Sequence, residues 1–191
     1  IGRSGSGKTT IVDIIIGLLE PTQGKLIIDG NVINDIKCTN WRNKIGYIPQ
    51  NFYLFDESIK KNVAFGIKDH LIDDGKVKKA LEFAQLGDFV NNLEEKIETK
   101  VGNQGIMLSG GQKQRIIIAR AFYHDPEILI LDEATSAIDE EVEKDFIDNL
   151  LEIGKNKTII IISHRSSTIE NCDEIFKVED GKIIKKDEKK N

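Results

Sequence analysis

Apolar runs along the chain are short and are broken by glycine-bearing polar stretches. Residues 9–19 read as a buried helix that follows a glycine-rich loop and closes before Pro21, because proline disfavours a helical conformation in the residue ahead of it. Residues 25–28 predict a short strand, with Asp29-Gly30-Asn31 turning it back into Val32 and Ile33. Residues 45–49 give another apolar strand, ending at Gln50. From about Asp56 the spacing becomes helical: Val77, Ala80, Leu81 and Ala84 share one face ahead of Gly87, a short helix follows over 88–93, and Ser109 opens another running to about Tyr123. Strand and helix then alternate again. Residues 127–131 and 158–162 read as buried strands around a helix over 140–153, whose Val142, Phe146, Ile147 and Leu150 share a face. Residues 174–178 and 182–184 flank the turn Asp180-Gly181, and the mixed-charge tail 185–191 reads as a solvated terminus.

β-Branched runs alternating with helices indicate an α/β fold, a mainly parallel sheet flanked by helices on both faces. A mainly helical stretch, roughly 51–124, interrupts it, so residues 1–50 and 125–191 are expected to form the core and 51–124 a helical subdomain.

Composition narrows this only a little. A length of 191 residues suits one compact domain with an ample core. With 27 basic and 32 acidic residues the net charge is −5, which excludes a surface that is basic as a whole and so disfavours nucleic acid as the partner. Cys38 and Cys172 cannot make a disulfide framework or a four-ligand zinc site, and are expected to be reduced cytosolic thiols. The richest apolar stretches, 14–19 and 159–162, fall far short of the ~20 residues that span a bilayer. The opening Ile1-Gly2-Arg3-Ser4 has no initiator methionine and reads as the last residue of a strand entering a loop, so the chain is expected to be a piece whose beginning is missing.

The loop itself carries the first chemistry. Gly2, Arg3, Ser4, Gly5, Ser6, Gly7, Lys8 and Thr9 fit G-x-x-x-x-G-K-[ST] position for position, with Thr10 following. Glycines let the backbone wrap a phosphate chain with its N–H groups inward, and the helix that follows presents its positive end to the same anion. Lys8 would serve the β- and γ-phosphates, and the Thr9 hydroxyl would ligate Mg2+. The plain alternative is a glycine-rich turn that merely starts a helix; the complete pattern between a strand end and a helix outweighs it.

Farther on, the apolar run 128–131 leads straight into Asp132 and Glu133. A buried strand delivers such residues to the C-terminal edge of a parallel sheet, where ligands of open α/β sheets sit. Many strands end in aspartate only to begin a loop; beside a phosphate loop, Asp132 becomes the metal carboxylate and Glu133 a general base for an attacking water. A second glycine-rich helix start, Leu108-Ser109-Gly110-Gly111-Gln112, is again suited to an anion but lacks a buried lysine. Two such half-sites make sense if this surface reaches a nucleotide held by another subunit.

Leu-Ser-Gly-Gly-Gln is also the signature of the ABC (ATP-binding cassette) ATPases, which the chain resembles over essentially its whole length. Gln50 resembles the Q-loop glutamine, Ser136-Ala137-Ile138-Asp139 the D-loop, with Ile where many members have Leu, and His164 the switch histidine. The segment Thr99-Lys100-Val101-Gly102-Asn103-Gln104-Gly105 is similar to the exporter-type T-x-V-G-E-x-G, with Asn103 in place of the common Glu, and residues 47–55 are exporter-like too. The likeness is to bacterial lipid and lipid-linked-oligosaccharide flippases and multidrug exporters. It implies a P-loop NTPase that binds ATP and Mg2+ and hydrolyses ATP to drive transport. It also implies a head-to-tail pair of cassettes, with a second copy as the expected partner, at the cytoplasmic face of the inner membrane and joined to transmembrane domains upstream or on another chain.

Residue by residue, Gly2 to Thr10 would hold one ATP and its Mg2+, while Ser109, Gly110, Gly111 and Gln112 would cap the γ-phosphate of the partner's ATP. Gln50 would sense the metal and the attacking water, and Asp132 would serve the metal. Glu133 would serve the water, and His164 would contact the γ-phosphate. A lone histidine is more often structural, and His70 and His124 are left as such; the place of His164 directly after a buried strand sets it apart. Asp139 could equally cap the helix that begins at Glu140, and both roles stand. The aromatic residue that stacks on adenine in this family would lie before Ile1. Two rival readings remain. A soluble ABC ATPase of DNA repair or translation would need coiled coils or a second cassette. A non-hydrolysing regulatory cassette would usually lack Glu133, His164 or a signature residue.

Overall fold

The structure, a computed structural model, describes residues 1–3, 5–33, 35–133, 146–148, 150–151, 156–163, 168 and 172–186. Helix α1 (Lys8–Ile16) starts at Gly7, whose φ of 97° no other residue type adopts cheaply. It stops at Gly17, also left-handed, whose N–H returns to Ile14 O at 3.0 Å while Leu18 N–H reaches Asp13 O at 2.8 Å. The end therefore comes at a glycine C-cap, ahead of the proline the sequence pointed to, and Leu18 and Leu19 leave the core for the surface. Strands β1 (Ile27–Ile28) and β2 (Asn31–Val32) form a hairpin over Asp29 and Gly30, both at positive φ as a two-residue turn requires.

Helix α2 (Asp35–Arg42) is not visible in the hydrophobic pattern, because its sequence is largely polar. Two of its side chains anchor it to the end of α1: Trp41 Nε1 donates to Ile15 O at 2.6 Å, and Cys38 Sγ donates to Gly17 O at 3.3 Å.

The sheet that organises the molecule has β3 (Ile45–Ile48), β4 (Ile128–Asp132) and β5 (Thr158–Ile162), all parallel in the order β3-β4-β5. Ile45 lies opposite Ile128, Ile48 opposite Leu131, and Asp132 opposite Ile162. Side chains alternate faces along each strand. Ile128 and Ile130 therefore join Ile45, Tyr47, Ile160 and Ile162 in a small cluster against Val12 and Ile16 of α1. The other parity, Ile48, Leu129, Leu131, Ile159 and Ile161, faces a larger cluster that includes Phe146, Ile147 and Leu150. Of the helix expected over 140–153, residues 146–148, 150 and 151 are described and helical; the others lie outside the described residues.

The same large cluster is continued by α3 (Ile59–Val63), α4 (Asp74–Phe83), α5 (Gly87–Asn91) and α6 (Gly110–Phe122). Ile116, Ile117, Ile118 and Ala119 are all buried because α6 is covered on two sides, by β3 on one and by α3 and α4 on the other. A fully buried isoleucine contributes roughly 1.5–3 kcal/mol, so this run fixes α6 firmly. Strands β6 (Phe176–Glu179) and β7 (Lys182–Lys185) pair around Asp180 and Gly181, again at positive φ. Ile1 lies alongside β6, its carbonyl accepting from Val178 N–H at 2.8 Å. β7 extends through Lys185 into what reads from sequence as tail, and residues 187–191 lie outside the described residues.

Candidate functional site

Strand parity builds the site. Asp132 is the last residue of β4 and has the parity of Ile128 and Ile130, so its carboxylate comes out on the α1 side of the sheet, at its C-terminal edge. Thr9, in the first turn of α1, meets it there: Thr9 Oγ1 donates to Asp132 Oδ2 at 3.3 Å. A hydroxyl and a carboxylate so placed are hard oxygen donors of the kind Mg2+ takes.

Beside them the glycine-rich loop curls over the head of α1. Gly5 has a φ of 74° and Gly7 of 97°, so the chain turns in conformations closed to most side chains. Gly2 is required for space: a Cβ there would lie 2.5 Å from Val178 O and 2.8 Å from Ser6 Oγ. Lys8 is buried, and its ammonium donates to Gly2 O at 2.8 Å and Arg3 O at 2.9 Å. Two features suit the loop to a phosphate chain: among the described residues Ser6 Oγ is buried without a hydrogen-bond partner, and none of their side chains caps the first turn of α1. Thr10 is exposed on the same first turn, and Ser4 lies outside the described residues.

Gln50, two residues past the end of β3, and Glu133, directly after β4, meet across the strand ends: Gln50 Nε2 donates to Glu133 Oε2 at 2.6 Å. Glu133 has a φ of 49°, left-handed for a non-glycine residue, while its N–H still pairs with Ile162 O at 3.0 Å. The chain thus keeps its sheet bond and turns sharply at the same residue, which is the kind of local strain found at functional sites.

Burial pushes the Asp132 carboxyl above its ordinary value. The Thr9 hydrogen bond opposes the shift, Glu133 adds to it, Lys8 opposes it and Asp13 adds to it. Tyr47, of the same parity in β3, is pushed up to about 12 by burial first, then by the negative charges of Asp132 and Asp13 and a hydrogen bond to Asp132. Reading the motifs alone misses Tyr47 and Asp13. The alternation of β3 carried the signal for Tyr47, and the four-residue step from Thr9 carried it for Asp13.

Ser109, Gly110, Gly111 and Gln112 stand apart, at the start of α6, and among the described residues they make no hydrogen bond to the glycine-rich loop. They form a complete capping box: Gln112 N–H donates to Ser109 Oγ at 3.2 Å and Ser109 N–H to Gln112 Oε1 at 2.9 Å. The two helix starts therefore differ, one uncapped around a buried lysine and the other capped by its own side chains. His164 and Asp139 lie outside the described residues.

Comparison with known proteins agrees with this geometry. A family model described as ABC transporter matches residues 1–136. A protein named ATP-dependent lipid A-core flippase from Ralstonia nicotianae is 45% identical over 185 residues, which is 96% of this chain and 31% of the relative. One of the same name from Pectobacterium atrosepticum is 42% identical over 186 residues, 97% of this chain and 32% of its own length. A solved structure of a bacterial Atm1-family ABC exporter with ATP bound superposes with a TM-score of 0.87 at 36% identity, covering 95% of this chain and 32% of that one. The chain thus spans about a third of the length of the relatives it matches.

Proposed function

Since the chain belongs to the ABC transporter family, we propose that it is the ATP-binding and ATP-hydrolysing motor of an exporter or lipid flippase. The observation that carries this is the meeting of four groups at one sheet edge: Thr9 with Asp132, and Gln50 with Glu133. Hydrolysis of ATP demands little covalent chemistry from a protein and much alignment and charge stabilisation around the γ-phosphate.

In this reading the loop from Gly2 to Thr10 holds the phosphates, with Lys8 exchanging its carbonyl partners for phosphate oxygens. Thr9 and Asp132 would hold Mg2+, which when bound would neutralise phosphate charge. Gln50 orients Glu133, whose carboxylate accepts a proton from the attacking water. The water oxygen bonds to the γ-phosphorus as the bond to the β-phosphate oxygen breaks, leaving ADP and inorganic phosphate. His164 would support the γ-phosphate, and Asp139 would contribute at the contact between cassettes.

The far side of the phosphate is left to Ser109, Gly110, Gly111 and Gln112 of a second cassette arranged head to tail. Residues 51–124 act as the subdomain that carries this signature, and 1–50 with 125–191 as the core. The whole protein would work at the cytoplasmic face of the inner membrane with transmembrane domains. Among the described residues no helix is long and apolar enough to cross a membrane, so those domains would be contributed by other sequence. The names of the two flippase relatives favour a lipid cargo.

Glu133→Gln tests the reading. The amide still accepts from Gln50, so ATP binding and ATP-dependent pairing should persist while phosphate release falls by roughly 10²–10⁴-fold. Undiminished turnover would remove Glu133 from the mechanism.

A further inference from the structure

Arg120 sits near the C-terminal end of α6, ten residues and so roughly 15 Å along the helix from Gly110. Its guanidinium is turned inward, with all three nitrogens engaged. Nε donates to Asn62 O at 2.7 Å, Nη1 to Tyr53 O at 3.2 Å, and Nη2 to Asn62 Oδ1 at 3.2 Å, with the carbon of the group 5.0 Å from the centroid of the Phe65 ring.

Asn62, in α3, is 1% exposed and equally committed. Its Oδ1 accepts from Phe55 N–H at 2.9 Å as well as from Arg120. Its Nδ2 faces the carbonyls of Phe55 at 3.0 Å, Ser58 at 3.1 Å and Glu57 at 3.4 Å. Two side chains, one on α3 and one on α6, thus hold the backbone of residues 53–58, which begin three residues beyond Gln50.

The same segment is tied on its other side to the run that leads to the signature. Val101 N–H donates to Glu57 O at 3.1 Å, Ile59 N–H to Thr99 O at 3.0 Å, and Ser58 bridges Lys100. Over it lie the exposed rings of Tyr53, Phe55 and Phe65, with Phe55 stacked on Phe65 at 4.8 Å.

Surface loops usually satisfy their carbonyls with water. Drawing a charged guanidinium and a fully buried amide under one costs desolvation, and such groups earn retention where they specify a single arrangement. We propose that Asn62 and Arg120 are positioning residues that bind segment 53–58 to α6 as one rigid unit, so that the loop carrying Gln50 and the signature Ser109–Gln112 move together. The proposal rests on the motor reading, which gives that coupling its use.

Hydrogen–deuterium exchange of the full chain tests it, without nucleotide and with AMP-PNP and Mg2+, alongside ATPase kinetics. In the wild type, nucleotide should change exchange in 2–10, 51–58 and 109–116 together. Arg120→Lys keeps the charge and loses the three-donor fork; in it 2–10 and 109–116 should respond as before while 51–58 no longer does. The KM for ATP should stay within about twofold while kcat falls about tenfold, a split expected of lost positioning. Asn62→Asp, which keeps the size and loses the amide donors, should reproduce the pattern.

A wild-type response of 51–58 in both variants would overturn the proposal, as would a loss of protection spread over all peptides with KM and kcat shifting together. If Arg120→Lys does not fold, Phe65→Leu, which removes the ring against the guanidinium together with its stack on Phe55, should show the same uncoupling at smaller amplitude, and a full response there would also overturn it. No response to AMP-PNP at 2–10 in the wild type would instead sink the motor reading. In that case exchange in mild urea still decides the coupling: 51–58 and 109–116 opening together supports it, and separate opening refutes it.

Discussion

The sheet and α6 approach each other closely at Gly46. This residue lies in β3 opposite Leu129, and a methyl group on it would stand 2.7 Å from Ala121 O, 2.8 Å from Pro126 Cγ and 2.9 Å from Leu129 Cδ2. Ordinary contacts begin near 3.4 Å. The leucine can rotate aside, but the helix carbonyl and the proline ring cannot, so the end of α6 has to retreat from the sheet. Overpacking of this kind costs about 1–3 kcal/mol, and a chain of this size loses roughly 2–4 °C per kcal/mol. Gly46→Ala should therefore lower the melting temperature by roughly 2–12 °C, measured by calorimetry. Gly110→Ala is the internal control. A Cβ there meets nothing within 4 Å, and alanine is the better helix former, so its melting temperature should hold or rise. A Gly46→Ala chain as stable as the wild type, or a Gly110→Ala chain that drops as far, would refute the argument.

Three more outcomes are expected. The Asp132 carboxyl is raised, so its ionisation is less favourable in the folded than in the unfolded chain, and its contribution is best below the ordinary carboxyl range and lost as pH rises. Asp132→Asn should accordingly melt higher at neutral pH while Mg2+-dependent ATPase activity falls; a lower melting temperature would contradict this. For Tyr47, raised from 10.0 to about 12, the stabilising share is present below pH 10 and fades as pH climbs toward 12. The tyrosinate absorbance lost in Tyr47→Phe should titrate near 12, and titration near 10 would be the contrary result. Ser109→Ala removes a capping-box acceptor and should cost about 1 kcal/mol in urea unfolding, whereas Ser109→Gly should cost only a few tenths. Equal losses would show that the cap is not what Ser109 contributes to stability.

Most of the candidate site is legible in the sequence because its chemistry is local there. A phosphate loop is contiguous, and so are a strand running into Asp132 and Glu133 and a capped helix start at Ser109. Pairings across the sheet are not. The motifs assign Thr9 and Asp132 to one metal and Gln50 and Glu133 to one water, but not the direct hydrogen bonds between them; the parallel register of β3, β4 and β5 sets Gln50 beside Glu133, and the packing of α1 on the sheet sets Thr9 beside Asp132. Elements failed to show for identifiable reasons. α2 is too polar to display a face, and Trp41 holds it through one hydrogen bond to α1 that no periodicity records. α3 is only Ile59–Val63, too short for a helical repeat to appear, although Ser58 caps it. The apolar run extends the expected helix to residue 19, whereas left-handed Gly17 ends α1 at Ile16.

The backbone at Glu133 bears on how such a chain would change with time. A non-glycine residue held at a φ of 49° costs folding energy of order 1–3 kcal/mol, which glycine would not incur and asparagine would reduce. Drift alone therefore pushes this position away from glutamate. A lineage released from the need to turn over ATP should surrender this residue early and keep its architecture intact. If Glu133 serves the attacking water as proposed, turnover is what offsets the backbone cost of glutamate at this position.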